Sequence, residues 1–444
     1  MKTNMQKYPA YKDSGVEWLG EIPSGWAEIK IKINSTIYNG DSLNENKKAK
    51  YESDDETHLA YISSKDIDLD TSIISYENGL RIPRNEPKYK VAKINSSLIC
   101  IEGGSAGRKI AFTNQDVCFV NKLACVSAKN NLNSKFLYYT LKGSLFQTQF
   151  KLSMSGMIGG VAISSINNFY ILIPPLPEQT AIAAFLDRKT ALIDQAIGIK
   201  QKQIELLKER RQIHIHNAVT RGLNPNVKMK DSGVEWIGEI PEGWTITLLK
   251  RFCHKITDGS HHSPQTQFEG RNYISVKDVD SDGNINLINC KKINEKDFKE
   301  LVRNGSQPKI NDILLTKDGT IGRAAIVDKN NDFVALSSLG IITPDLKLVL
   351  PQYLSLYLTS EINVSQMFSL IAGSALTRLT IEKINNLLTI IPPLNEQFNI
   401  INYVKPLVTK IATAISLKEQ EIEKLKEYKA TLINSAVTGK IKVS

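Results

Sequence analysis

The chain has 444 residues and a net charge of +10, with 41% hydrophobic and 23% charged residues, the profile of a globular protein with room for two to four domains. It has no run of about 18 apolar residues, so no helix is expected to span a membrane, and the opening MKTNMQKYPAYKD lacks the apolar segment of a secretory signal. The five cysteines (Cys100, Cys118, Cys125, Cys253, Cys290) include no CxxC pair and are expected to be reduced, mostly buried thiols of a cytoplasmic protein. The mild positive excess permits a polyanionic partner without requiring one.

In chain order, the first feature is a turn-rich motif from Tyr8 to Trp26, with Ser-Gly pairs at 14–15 and 24–25, Gly20 and Pro23. Its apolar residues Val16, Trp18, Leu19, Ile22 and Trp26 are too dense for a solvated loop, so residues 1–26 are expected to pack as a cap on helices. A variable block, 27–173, follows. Its short apolar runs EIKIKI (28–33), HLAYISS (58–64), SSLICIE (96–102), KIAF (109–112) and CFVNKLACVS (118–127) read as strands separated by turns. Helices are expected near 134–149 and 163–168.

At IPPLPEQ (173–179) the pattern changes. Prolines 174, 175 and 177 prevent a helix from extending backwards, and a long amphipathic helix occupies 174–222. Positions 193, 197, 200, 204, 207, 211, 214 and 218 step by three and four, which predicts a coiled-coil seam. Gly222 stands where a glycine stop belongs. From Glu178 to Val219 the rod is roughly 63 Å long at 1.5 Å per residue.

The chain then restarts. KDSGVEWLGEIPSGW (Lys12 to Trp26) returns 218 residues later as KDSGVEWIGEIPEGW (Lys230 to Trp244). The same offset carries Pro174-Pro175-Leu176 to Pro392-Pro393-Leu394, Glu178-Gln179 to Glu396-Gln397, and Ala218-Val219-Thr220 to Ala436-Val437-Thr438. A second motif (223–244), a second block (245–391) and a second helix (392–444) follow. The second block repeats the layout with RNYISVKDVD (271–280), DILLT (312–316), AAIV (324–327), a helix at 351–368 and TIEKINNLL (380–388). YISSKD (61–66) matches YISVKD (273–278) at offset 212, and GRKIAF (107–112) matches GRAAIV (322–327) at 215. The loops have therefore been rebuilt on a common frame, as in a scaffold that reads two different things. The expected fold class is α+β: a tandem duplication of a β-rich domain plus a long helix, the two helices pairing as an antiparallel coiled coil.

No catalytic constellation is found. GGSAGRK (103–109) fails the GxxxxGK[ST] spacing and reads as a glycine hairpin. No NPP[YF]-type tetrapeptide of an amino-methylating enzyme is present. The His261-His262 pair has no cysteine or carboxylate at metal spacing. The chain is expected to be non-catalytic and to hold no metal. Two loops attract attention, YNGDSLNENKKAK (38–50) with Asn39, Gly40, Asp41 and Ser42, and ITDGSHHSPQ (256–265) with Asp258, Gly259, Ser260, His261 and His262. Small polar donors on a rigid sheet suit base-edge and phosphate hydrogen bonding, with an ordinary surface turn as the competing reading. Lys65 and Lys277 follow the two YIS strands. Arg108 and Lys109, and Lys317, Thr320 and Arg323, are expected at hairpin tips where phosphates can be met, with a solvated turn as the alternative. The loops at 156–160 and 373–378 are similar, on weaker grounds.

As an ordered set, YPAYKDSGVEWLGEIPSGW and its repeat, ITDGSHHSPQ…YISVKD, DILLTKDGTIGRAAIV, and IPPLPEQ/IPPLNEQ before each long helix resemble the specificity subunit of type I restriction–modification systems, over the whole chain. The resemblance implies two target-recognition domains (27–173 and 245–391) that each read half of a bipartite, asymmetric site in double-stranded DNA. It implies long helices that act as a ruler and as a docking surface for two methylation subunits, with Ile193, Ile197, Ile204, Leu207, Ile411, Ile415, Ile422 and Leu425 on the coiled coil. Restriction–translocation subunits would join this core. S-adenosylmethionine, ATP and magnesium would belong to the partners and not to this chain, which would act, DNA-associated, in a bacterial cytoplasm. The first block lacks the DGSHH signature. A coiled-coil scaffold with two protein-binding β-rich blocks is the rival reading; a nuclease or methyltransferase is disfavoured because no site assembles.

Overall fold

The computed structural model describes residues 6–15, 20–129, 131–155, 159–328, 332–371 and 378–443. Val16, Trp18 and Leu19 of the first motif, 156–158 of one loop and 373–377 of another lie outside them. The chain divides into two compact units: 1–201 with 419–444, and 202–418. Each unit thus takes one variable block together with part of each long helix.

In the first unit, Ser35–Asn39, Leu123–Ala128, Ser97–Cys100 and Ile110–Phe112 form an antiparallel sheet in that order. A second sheet runs Arg81–Ile82, Leu59–Ile62, Val117–Phe119, Val91–Ala92, and its central pair is parallel. The CFVNKLACVS run is therefore two strands, one in each sheet, joined by the turn at Val120–Lys122. A core of Leu98, Cys100, Ala111, Phe119 and Cys125 fills the lobe between them. The second unit repeats the plan with Cys253–Asp258, Leu339–Pro344, Ile313–Thr316, Ala324–Ile326 and with Lys291–Ile293, Arg271–Ile274, Phe333–Ala335. Its core gathers Ile274, Leu314, Ala325, Phe333 and Ile341.

Both expected mid-block helices are broken. In place of one helix over 134–149 there are Ser134–Lys142 and Ser144–Leu152. The break falls at Gly143, where a Cβ would stand 2.6 Å from Val437 Cγ2 of the second long helix. In place of 351–368 there are Pro351–Leu358 and Glu361–Ile371. The turn between them buries Ser360, whose hydroxyl donates to Tyr357 O at 2.5 Å. Chain periodicity does not register such local breaks, because tertiary packing imposes them.

The long helices span Leu176–Arg221 and Leu394–Val437, the second with Pro406 inside it. Every residue at the predicted seam positions is buried or half-buried. Within the first unit Lys429 Nζ meets both carboxylate oxygens of Asp194 (2.6 and 2.7 Å), and Lys200 meets Glu421 at 2.6 Å. Residue numbers rise on one helix as they fall on the other, so the pair is antiparallel. Within the second unit His214 packs edge-on against Tyr403 in the same sense.

The duplicated Glu-Gln pairs that open these helices have a structural cause. Gln179 is buried; its Oε1 accepts from Asn133 N (2.8 Å) and its Nε2 donates to Pro174 O (2.9 Å). Gln397 does the same with Leu350 N and Pro392 O. A buried amide satisfied on both sides locks the helix start to its block. The neighbouring Glu178 accepts from the Tyr8 hydroxyl, while Glu396 accepts from Trp244 Nε1 at 2.9 Å. The turn-rich motifs pack by Trp26 and Trp244, each 1% exposed, whereas Trp236 is half exposed. All five cysteines are free thiols, four of them buried and Cys253 partly so; burial pushes the Cys118 thiol up to about 12.

Candidate nucleic-acid interface

Each lobe places its polar loop where a strand of one sheet passes over to the other, and a glycine makes the passage possible. Gly40 N donates to Leu123 O and Asp41 N to Phe119 O; Gly259 N donates to Leu339 O and Ser260 N to Ala335 O. A Cβ on Gly40 would lie 1.9 Å from Phe119 O, and one on Gly259 2.1 Å from Ala335 O. Backbone approaching backbone this closely leaves no room for a side chain. These two glycines shape the loops, and their neighbours carry the polar side chains.

Buried tyrosines hold the loops from below. Tyr61 OH donates to Asp41 O at 2.6 Å and Tyr273 OH to His262 O at 3.1 Å. Burial raises both phenols, Tyr61 to about 12, so they remain donors at physiological pH. In the first lobe Asp41 also accepts from Lys90 N (2.7 Å), and Lys90 Nζ donates to Asn39 O (3.0 Å). Asn39 is half-buried and Ser42 exposed. Lys90 escaped the sequence reading, because only the fold carries it to this loop.

In the second lobe, His261 Nε2 lies 3.0 Å from Asp258 Oδ2, and that carboxylate lies 3.5 Å from Lys317 Nζ. Lys317 also meets Asp318 at 3.4 Å, and Asp318 meets Arg378 at 3.1 Å. His261 and His262 are exposed. Lys317 is 1% exposed, which corrects its expected place at a hairpin tip. It begins the turn from beneath, and its ammonium is taken up by the two aspartates. A buried ammonium requires such partners, and nothing local in DILLTKDG announces that Asp258 will supply one.

The remaining candidates divide by exposure. Lys65 and Lys277 are exposed on turns fixed by matching motifs: Asp66 accepts from Ser63 N at 2.7 Å and Asp278 from Ser275 N at 2.7 Å. Arg108 and Thr320 are exposed. Lys109 and Arg323 are tied down, by Lys109 Nζ to Ser64 O (2.7 Å) and Arg323 NH1 to Val279 O (3.1 Å). They brace the hairpins against the turns that follow the YIS strands. Among the described residues no group of three or more His, Cys, Asp or Glu is placed to hold a metal ion, and no helix is long and apolar enough to cross a membrane.

On the long helices, Ile193, Ile204, Ile411, Ile415 and Ile422 are buried and Ile197, Leu207 and Leu425 half-buried. They form the chain's own seam. The outward positions Leu192 and Ile199 in the first unit, and Leu206 and Ile213 in the second, are about half exposed. These also repeat every seven residues.

The family described as "Type I restriction modification DNA specificity domain" matches twice, over residues 23–209 and 242–427. The chain belongs to this family. Its two matches coincide with the two repeats, each a block with most of its helix. A putative type I restriction enzyme specificity subunit (MjaX) of Methanocaldococcus jannaschii is 24% identical over 445 residues, covering 96% of each chain. The EcoBI specificity subunit of Escherichia coli is 26% identical over 317 residues, which are 70% of this chain and 64% of that one. A solved chain described under complex assembly and conformational transition of the type I R-M system superposes with a TM-score of 0.68 at 17% identity, covering 95% of this chain and 99% of that one; that likeness speaks to fold.

Proposed function

We propose that this specificity subunit reads a bipartite, asymmetric site in double-stranded DNA, one half with each lobe, and directs adenine methylation and restriction by partner subunits. The observation that carries the reading is the pair of glycine-pinched loops, built alike and lined differently: Asn39, Asp41 and Ser42 beside Lys90 in one lobe, and Asp258, His261 and His262 above Lys317 in the other. Equal frames with unequal loop chemistry suit two readers of different base sequences. The exposed cations Lys65, Arg108 and Lys277 suit backbone phosphates.

The antiparallel helices serve as the ruler between the half-sites and as the seat of two methylation subunits, with restriction–translocation subunits joining that core. Two weak readers on one spacer gain affinity through effective concentration only when the gap fits the spacer. Chemistry with S-adenosylmethionine, ATP and magnesium belongs to the partners, and this chain contributes recognition. Exchange of the loop at 256–265 for that of a relative with another target tests the reading. It is expected to change one half of the methylated motif and leave the other half and the gap intact; concurrent change in both halves overturns independent reading.

A further inference from the structure

Phe268 is 101% exposed, the largest exposure of any apolar side chain among the described residues. A phenyl ring wholly in water forgoes the gain of burial, so its placement calls for a reason. The ring does not ride on a slack loop. Gln267 N donates to Lys292 O at 2.9 Å and the two residues form an antiparallel bridge. Two residues beyond the ring, Gly270 takes φ +144, and a Cβ there would stand 2.3 Å from Ile293 O. The segment is pinned on both sides of Phe268 to the edge strand Lys291–Ile293, which contributes exposed Lys291 and half-buried Lys292. That strand pairs with Arg271–Ile274, whose Tyr273 hydroxyl supports the loop of His261 and His262. The ring, the two lysines and the candidate reading loop therefore belong to one sheet.

The first lobe treats the same edge differently. There Glu52 bridges Leu80, and an open groove of about 570 Å³ is lined by Leu80 together with Lys48, Glu52, Ser53, Asp54 and Asn78. One lobe offers a groove of mixed lining and the other an apolar ring beside lysines, at a place where the backbone frame is shared.

We propose that Phe268 is a base-contacting residue of the half-site read by the second lobe, its ring against the C5-methyl of a thymine while Lys291 and Lys292 face the flanking phosphates. The thymine methyl is the apolar group that base edges present in the major groove, and apolar side chains read it by contact. Lysines beside the ring supply the attraction to phosphate that brings the edge to the duplex. This rests on the DNA-reading function proposed above.

The test uses the chain with its methylation subunit and duplexes carrying the site mapped by methylation sequencing. In these duplexes each thymine of the second half-site is replaced in turn by uracil, which lacks the methyl. Phe268→Ala is expected to weaken binding to the intact site roughly 10-fold and Phe268→Leu less, with unfolding temperature, binding to scrambled duplex and salt dependence unchanged. One thymine-to-uracil change is expected to weaken wild-type binding roughly 3-fold, the scale of one methyl, and to leave the alanine variant unaffected. Unchanged affinity in Phe268→Ala, a loss that is equal on scrambled duplex, additive effects at every thymine, or a half-site without thymine on either strand overturns the assignment. If the wild-type complex does not prefer the mapped duplex to the scrambled one, the DNA-reading function itself fails.

Discussion

The two lobes solve one packing problem in opposite ways. Val161 N donates to Ile101 O in the first unit, and Leu379 N donates to Lys317 O in the second; Ile101 N meets Lys122 O as Lys317 N meets Ser338 O. Ile101 and Lys317 thus occupy the same place, both buried. In the first lobe the place is apolar and the residue matching Asp258 is Asn39, which is neutral. In the second, an ammonium is buried there and two carboxylates have been recruited around it, one of which reaches the exposed imidazole of His261. A change in the floor of the lobe is thereby transmitted to the side chain on its surface. Duplicated scaffolds can diverge in what they read by altering the support of a loop as well as its tip.

The largest expected effect tests what the lobes share. Gly40→Ala and Gly259→Ala each force a Cβ into a carbonyl and are expected to cost about 4 kcal/mol of lobe stability, at the high end for single substitutions. Thermal unfolding together with methylation mapping should show each variant losing one half-site only. The next tests what they do not share. Lys317→Ile removes the ammonium from Asp258, while Asp318 keeps Arg378 at 3.1 Å, and is expected to cost about 3 kcal/mol. Asp258→Asn combined with Lys317→Ile rebuilds the arrangement of the first lobe and should recover most of that loss. A strictly additive double variant would show that the ammonium and Asp258 are not coupled.

A smaller difference lies at the helix ends. Tyr11 OH donates to Gly439 O at 3.2 Å, while the matching residue in the repeat, Met229, has no hydroxyl and lines a cavity of about 490 Å³ with Arg221, His216 and Gly222. The Tyr11 hydroxyl also accepts from Tyr8 N at 3.2 Å, so Tyr11→Phe removes two hydrogen bonds and is expected to cost about 1–2 kcal/mol, read as a lowered unfolding temperature. The smallest effect is expected at Glu102, whose exposed pair with Lys122 spans 3.6 Å. Glu102→Gln should shift stability by under about 1 kcal/mol, against the large loss at Lys317 in the other lobe.

What could be read in the sequence is what depends on short-range order. The duplication shows in the constant offset of 218 across motif, helix start and helix end, all of which pack on one another and so keep their spacing. The seam shows because burial on a helix repeats every three and four residues, and all its positions are buried or half-buried. The breaks near Gly143 and Ser360 did not show, because each depends on what packs against it. By itself DILLTKDG places Lys317 at an exposed tip, because its partner Asp258 lies on a distant strand and leaves no local signal. Gly40 and Gly259 stand in the expected base-reading loops, and the fold gives them a steric duty at the same spot. Gln179 and Gln397 were visible as a repeat, but their buried hydrogen bonds were not.

The measurement that bears most directly on the account is a map of N6-methyladenine in DNA from cells expressing this chain with its methylation partner, alongside cells carrying a helical-turn insertion within 196–203. The account predicts a split, asymmetric motif with a fixed gap, absent when the chain is deleted, and with the same halves at an altered gap in the insertion variant. A continuous or palindromic motif, or a gap unmoved by the insertion, would contradict two lobes reading separately along a helical ruler.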